Sequence, residues 1–324
     1  MRRSACLYII LTIGLVALFV LDLCIGAVNL SPWQLFSSDN PIYQRLLFDY
    51  RLPKALTAVI AGVSLSLSGL IMQTLFRNPL AGPYVLGVSS GATLGVATVV
   101  LCGSLLGFAA NGIQTVVAAI VGAMFVLLCV MAVSWKIENT VSLLVVGMMF
   151  GSIAGALVNL MQNFADPDSL KLFVVWTLGS LSSVGWEEMR VLFPVFVLGL
   201  LSVACLMKSL NGLLLGEQYA RGLGISMKRL HGQIILSIAL LSGGVTAFCG
   251  PIAFVGVAVP FMARGLFRTG NHRTTLPASA LIGADLLLVC DVLSNAFTYP
   301  LPISTVSALF GAPVVVYIML RRQS

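Results

Sequence analysis

Two carboxylic acids, Asp285 and Asp291, stand inside the apolar run from Leu276 to Phe297. A carboxylate at membrane depth is costly enough to need a reason. The chemistry open to this pair is a proton relay, and the alternative is satisfied hydrogen bonding near a helix end. The histidines, His231 and His272, fall in positively charged segments rather than within apolar runs, so neither is placed to ligate a metal at membrane depth. The seven cysteines, Cys6, Cys24, Cys102, Cys129, Cys205, Cys249 and Cys290, are scattered singly, with no CxxC pair and no metal-ligand spacing. They read as small core or lipid-facing residues. No GxxxxGK[ST] phosphate loop occurs, so ATP hydrolysis, if the protein depends on it, belongs to a separate subunit. No catalytic set is present, and the chain is not expected to be an enzyme.

Three polar segments offer binding rather than catalysis. Leu215, Gly216, Glu217, Ala220, Arg221, Gly222, Leu223 and Gly224 alternate charge, apolar side chains and glycine, the make-up of a short helix-turn that fits a groove on a partner. A solvated loop is the plainer reading. Arg51 and Lys54 stand at the entrance of the apolar stretch Ala55–Leu75, where they either meet a partner's carboxylates or snorkel to lipid headgroups. Asn78-Pro79 suits helix capping and chain reversal.

The elements that position these residues are membrane helices. Of 324 residues, 59% are hydrophobic and 9% charged, against roughly 25% charged in a soluble domain. Mean hydropathy is +1.03. A span needs ~20 apolar residues, and hydropathy places helices near Cys6–Val28, Ala55–Leu75, Gly91–Cys102, Thr115–Ser134, Leu143–Asn163, Val191–Met207, Gln233–Phe248, Gly250–Arg264, Leu276–Phe297 and Ile303–Leu320. Residues 1–324 thus form a single transmembrane domain, all-α, with about ten spans. The first apolar run is too long for a cleaved signal peptide and is read as a retained helix. The third and eighth segments are short, so their glycine-rich flanks are expected at membrane depth, buried against protein.

Charge orients the bundle. With the amino terminus inside, Arg2, Arg3, Arg77, Lys136, Lys208, Arg221, Lys228, Arg229, Arg264, Arg268, Arg273, Arg321 and Arg322 share the cytoplasmic side, thirteen of the 18 lysines and arginines. Asp39, Asp49, Asp166, Asp168, Glu187 and Glu188 face outward, and both termini are cytoplasmic. The net charge of +7 is then a topology signal and calls for no nucleic acid. Glycines at four-residue spacing, Gly87-Gly91-Gly95 and Gly147-Gly151-Gly155, put smooth faces on the third and fifth helices, suited to tight packing or to a narrow conduit. Gly62, Ser64, Ser66, Ser68 and Gly69 make the second helix small-sided.

Four ordered blocks carry a family resemblance. They are Arg51-Leu52-Pro53-Lys54 through Arg77-Asn78-Pro79-Leu80-Ala81-Gly82-Pro83 to Ser90-Gly91-Ala92; Trp176-Thr177-Leu178-Gly179-Ser180-Leu181; Leu213 to Gly224; and Gly250-Pro251 through His272-Arg273 and Asp291 to Gly311-Ala312-Pro313. Together they resemble the FecCD family of BtuC-like permeases, which serve binding-protein-dependent ABC importers of iron-siderophores, haem and vitamin B12. The resemblance covers essentially the whole chain. It implies a BtuC-like fold and a homodimer in the bacterial inner membrane, with cargo passing between the copies. It further implies two ATP-binding cassette subunits below, carrying the ATP and Mg, and an extracytoplasmic substrate-binding protein above; no cofactor belongs to this chain.

The resemblance assigns Leu215 to Gly224 to ATPase docking, Arg51 and Lys54 to binding-protein docking, and Asn78, Leu80 and Thr140 to the cytoplasmic gate. Gly147, Met148, Gly151, Met161 and Gln162 on the fifth helix, together with the tenth helix, are the expected pathway lining. A ferric siderophore is the first expected cargo, with haem and cobalamin next. Three positions depart from the family pattern: Asn295 replaces a docking arginine, Pro300-Leu301-Pro302-Ile303-Ser304 alters the segment before the last helix, and Phe261 stands where a histidine is usual. An ion-coupled secondary transporter is the rival reading, and Asp285 and Asp291 are the features that lean toward it.

Overall fold

Helix α1 (Arg2–Cys24) is a continuous apolar run, and α2 (Pro41–Leu75) follows as the most enclosed of the long helices. The computed structural model describes residues 2–26, 41–105, 111–134, 140–297 and 299–323. Asp39 and Lys136, counted in the expected topology, lie outside these residues, as do the side chains of Thr140, Arg2, Arg3, Arg321 and Arg322. Along α2 the residues Leu46–Arg51 form a π-helical turn just ahead of Pro53. Proline lacks the N–H that would continue the regular ladder, which accounts for the widened turn at that point.

The chain then runs through a short 3₁₀ turn, Pro83–Leu86, into α3 (Val88–Leu105), α4 (Gly112–Ser134) and α5 (Thr140–Phe164). A short α6 (Pro167–Thr177) starts where Asp166 accepts the N–H groups of Asp168 and Ser169 with Pro167 at the first position. Next come α7 (Trp186–Leu214), α8 (Glu217–Gly222) and α9 (Met227–Cys249), the last carrying a π turn at Ala239–Gly243. Helices α10 (Val255–Phe267), α11 (His272–Asn295) and α12 (Ile303–Gln323) complete the fold. No strand occurs among the described residues.

Among the described residues, seven helices are long and apolar enough to span a membrane, and α3, α10 and α12 are shorter apolar helices. The protein is an all-α, multi-span membrane protein. The ten expected segments each coincide with one of these helices, with differences at the bounds: the second begins at Pro41 rather than Ala55, so Arg51 and Lys54 lie within it rather than at its entrance. The sixth runs from Trp186 to Leu214, longer than the expected Val191–Met207. Helix α6 was not expected as a helix, because its apolar content is short and follows the Asp166-Pro167-Asp168 turn. The eighth begins at Val255 rather than Gly250: Gly250 and Phe254 both have positive φ, 74° and 64°, which no helix accommodates.

Burial concentrates on α2, which packs against α11, α10 and α7, while α3 lies on α4 and α5, and α1 on α11. Lipid tails are as apolar as leucine, so close backbone approach has to hold the bundle together. A Cβ added at Gly69 would overlap the carbonyl of Gly256 on α10, and one at Gly62 would overlap that of Gly283 on α11. The α3 glycines do the same work against α4, where Gly91 and Gly95 face Gly122 and Ala118. On α5 the ladder divides: Gly147 abuts Val85, Gly151 abuts Ser90, and Gly155 meets nothing within 4 Å. Gly69→Val is therefore expected to destabilise the folded bundle by at least about 3 kcal/mol, whereas Gly155→Ala leaves the melting temperature in detergent unchanged.

Candidate functional site

The break between α9 and α10 builds the site. Gly250 to Phe254 is non-helical and its flanking carbonyls are answered by the stretch that follows α6: Ser180 N–H donates to Cys249 O at 2.8 Å, and Ser183 Oγ donates to Phe248 O at 2.8 Å. Gly179, at φ 73°, lies against Pro251 and Cys249 carbonyls where a Cβ would stand at 3.2–3.3 Å. This gives the Trp176 to Leu181 block its physical reason as the socket for the broken helix. Ser304, at the start of α12, closes the same corner by donating its hydroxyl to Leu178 O at 2.6 Å.

Against this break opens a cavity of about 660 Å³, lined by α2 (Leu65), by Leu80, Pro83 and Tyr84 of the loop before α3, by Pro251 to Phe254 with Gly256 and Val257, and by Ser304 and Val315 of α12. Its polar groups are hydroxyls: Ser89, Thr177, Ser242, Ser304 and Tyr84. No acid, base, histidine, cysteine or methionine is among the lining residues. Such a surface offers an organic molecule apolar contact with a few hydroxyl hydrogen bonds. Phe254 stands at the wall in its left-handed conformation, its side chain seated over Gly311 of α12. Of the expected lining, α12 contributes; none of Gly147, Met148, Gly151, Met161 and Gln162 does. Gly147 is spent on packing, while Met148 is exposed on the outer face of α5.

At one mouth of the cavity, Asn78 Oδ1 accepts the Leu80 N–H at 3.0 Å and Asn78 O accepts the Ala81 N–H at 3.1 Å. Asn78 thus shapes the turn, and Leu80 is the member of the expected gate that lines the cavity. Thr140 opens α5, its side chain outside the described residues. Helix α8 begins after Gly216, whose φ of 120° admits little but glycine, and ends ahead of Gly224 at φ 81°. Ala220 is fully buried beneath it, and Leu215, Tyr219 and Leu223 are 67%, 53% and 58% exposed. Glu217, Arg221 and Gly222 belong to the same projecting turn. An apolar knob on a polar, basic face is the shape of a contact surface.

The opposite end of the bundle holds a charged cluster. Arg51 was expected to present its charge outward; instead it is 8% exposed and its Nη1 donates to Leu23 O at 2.6 Å and Cys24 O at 3.0 Å. A guanidinium so placed answers the orphan carbonyls at the end of α1 and the negative end of its dipole. Lys54 Nζ sits 2.9 Å from Asp291 Oδ2, and Asn295 Nδ2 donates to Asp291 Oδ1 at 3.2 Å. Asp291 is therefore an ion-paired carboxylate near a helix end, with Oδ1 hydrogen-bonded and Oδ2 held by the Lys54 charge. Asp22, which the sequence reading passed over, is 5% exposed beside these same charges; the signal available was an acid in the last turn of an otherwise apolar α1. Two small cavities, about 200 and 160 Å³, flank the cluster, with Lys54 and Asn295 on the walls of both. Asp285 lies apart, with Oδ2 toward Gly14 of α1 and Oδ1 buried without a hydrogen-bond partner.

The sequence profile of the FecCD transport family matches residues 14–321. The chain belongs to that family. The hemin transport system permease HmuU of Yersinia pestis is 32% identical over 327 residues, covering 97% of this chain and 96% of its own. The vitamin B12 import system permease BtuC of Vibrio parahaemolyticus is 34% identical over 319 residues, covering 97% and 93%. Among solved structures, an inward-facing metal-chelate type ABC transporter superposes with a TM-score of 0.87 at 32% identity, over 96% of this chain and 97% of that one. This FecCD protein thus shares the permease fold of a transporter caught open to one side.

The charged cluster yields a double-mutant cycle. Asp291→Ala breaks the ion pair with Lys54 and is expected to lower stability by about 3 kcal/mol, while Lys54→Met/Asp291→Leu recovers most of that loss. Denaturation of the four proteins in one detergent checks it.

Proposed function

We propose that the chain is the permease subunit of a binding-protein-dependent ABC importer, moving a metal chelate across the bacterial inner membrane by ATP-driven alternating access. The observation that carries this reading is the uncharged cavity, which suits a metal wrapped in an organic shell rather than a free ion. Its volume falls within the roughly 300–1,000 Å³ of small-molecule sites, and a second copy of the chain would complete the pathway across a two-fold axis. A ferric siderophore is the first cargo to test, with haem and cobalamin, named for relatives in the same family, next. No ATP-binding loop is present in the sequence, so two ATPase subunits supply the work, and the exposed Leu215, Tyr219 and Leu223 of the α8 knob are where they would dock. A substrate-binding protein delivers the cargo on the opposite face, which carries Lys54.

Uptake of radiolabelled ferric siderophore, haem and cobalamin in a strain deleted for this protein tests the reading. Restored uptake of one chelate is expected with the wild-type chain, and Leu223→Asp is expected to lower it at least about tenfold by placing a charge in the docking contact. Uptake that survives Leu223→Asp together with ATP depletion, and collapses with the proton gradient, would replace this reading with the ion-coupled one and turn attention to Asp285.

A second prediction concerns the cavity wall. Gly311→Val pushes a side chain into Phe254 and is expected to reduce chelate uptake several-fold at unchanged membrane content, and Gly311→Val/Phe254→Ala to restore part of it. Immunoblots of the membrane fraction beside the uptake assay read both.

A further inference from the structure

His272, the first residue of α11, is fully buried, yet both its ring nitrogens are engaged. Nδ1 lies 3.0 Å from Asn211 Oδ1 on α7, and the same oxygen accepts the His272 backbone N–H at 2.8 Å. Nε2 lies 2.9 Å from Thr74 Oγ1 on α2. The roles follow from the network. Asn211 Oδ1 is the acceptor for the backbone N–H, and its amide nitrogen donates to Asn271 Oδ1 at 3.2 Å, so Nδ1 carries a proton and Nε2 is an acceptor for the Thr74 hydroxyl, whose single proton is shared between Nε2 and Leu70 O, 2.8 Å away on its own helix. One imidazole therefore ties three helices together where they end.

What lies just beyond each tie gives the network its meaning. Thr74 comes three residues before Arg77, which bends the chain at φ 47° into the Asn78 to Leu80 turn, and Leu80 lines the cavity. Asn211 comes five residues before Gly216, the start of the α8 segment. The two exits also touch directly, for the Arg77 guanidinium covers Gly216, where a Cβ would meet Nη2 at 3.0 Å. Force applied to α8 has two routes into the end of α2, and the buried one passes through His272.

We propose that His272 is a positioning residue that makes the end of α2 move with α8, so that work delivered by the ATPase reaches the Asn78 to Leu80 turn at the cavity mouth. This rests on the importer reading above. The imidazole suits the task because a buried hydrogen bond is expensive to leave unmade: the three helix ends keep their mutual geometry through a displacement instead of sliding past one another.

The test uses the complete permease–ATPase complex in liposomes, with the chelate among haem, cobalamin and a ferric hydroxamate that the wild-type complex imports, and reads chelate moved per ATP hydrolysed. Thr74→Val keeps the shape of the side chain and removes the hydroxyl, and Thr74→Ser keeps the hydroxyl. Thr74→Val and His272→Leu are expected to lower transport per ATP about tenfold, with the ATPase subunit still co-purifying and hydrolysis within about twofold of wild type; Thr74→Ser restores the ratio. An unchanged ratio in Thr74→Val, a failure of Thr74→Ser to rescue, or a parallel fall of hydrolysis and transport overturns the proposal. A wild-type chain that binds no ATPase, or imports without ATP, overturns the importer reading itself and is seen before any variant is made.

Discussion

Backbone against backbone is the constraint on which this structure depends. Gly69 on Gly256 and Gly62 on Gly283 bring α2 so close to α10 and α11 that no side chain fits between them. In a solvent as apolar as the protein, dispersion over such contacts replaces the hydrophobic drive of a water-soluble core. The consequence is positional. With α2 seated, the loop that follows it is held over the cavity through Leu80, Pro83 and Tyr84, and Gln73 Nε2 donates to Val257 O at 3.1 Å near the start of α10.

A second constraint is that backbone polar groups at membrane depth must find partners inside the protein. The chain breaks its helices at Pro83–Leu86 and at Gly250 to Phe254, and both breaks form cavity wall. The first is held by its own 3₁₀ bonds, and at the second Ser180 and Ser183 meet the flanking carbonyls of Cys249 and Phe248. A wall made of turns can change shape without unravelling a whole span. The left-handed Phe254 is held there by Gly311, a strained residue at the place where movement would be useful.

The two ends of the bundle treat charge differently. At one end Arg51, Lys54, Asp22 and Asp291 are gathered inside, where they fasten α1 to α2 and α11. At the other, His272 performs the fastening with neutral hydrogen bonds, and the exposed surface is left to the α8 knob. Desolvating a charge is tolerable only with a partner in place, and here the partners come from three different helices, so the cluster clasps them together.

By itself the sequence determined the membrane class, the ten apolar helices, the four family blocks and the α8 segment, because hydropathy, glycine spacing and proline or glycine punctuation are local properties. It also marked Asn78 as a turn former. It did not determine where long side chains go. Arg51 reads as an outward charge until the carbonyls of α1 are brought beside it, and Asp22 reads as an ordinary helix-end acid until α2 and α11 surround it. The α5 glycines suit packing or a conduit alike until the neighbours are known: Val85 and Ser90 lie against Gly147 and Gly151, and Gly155 is open. Only the tertiary structure decided which face of each helix meets the cavity, since that follows from crossing angles and contacts between segments as distant as Leu65 and Val315, and no spacing within one segment encodes them.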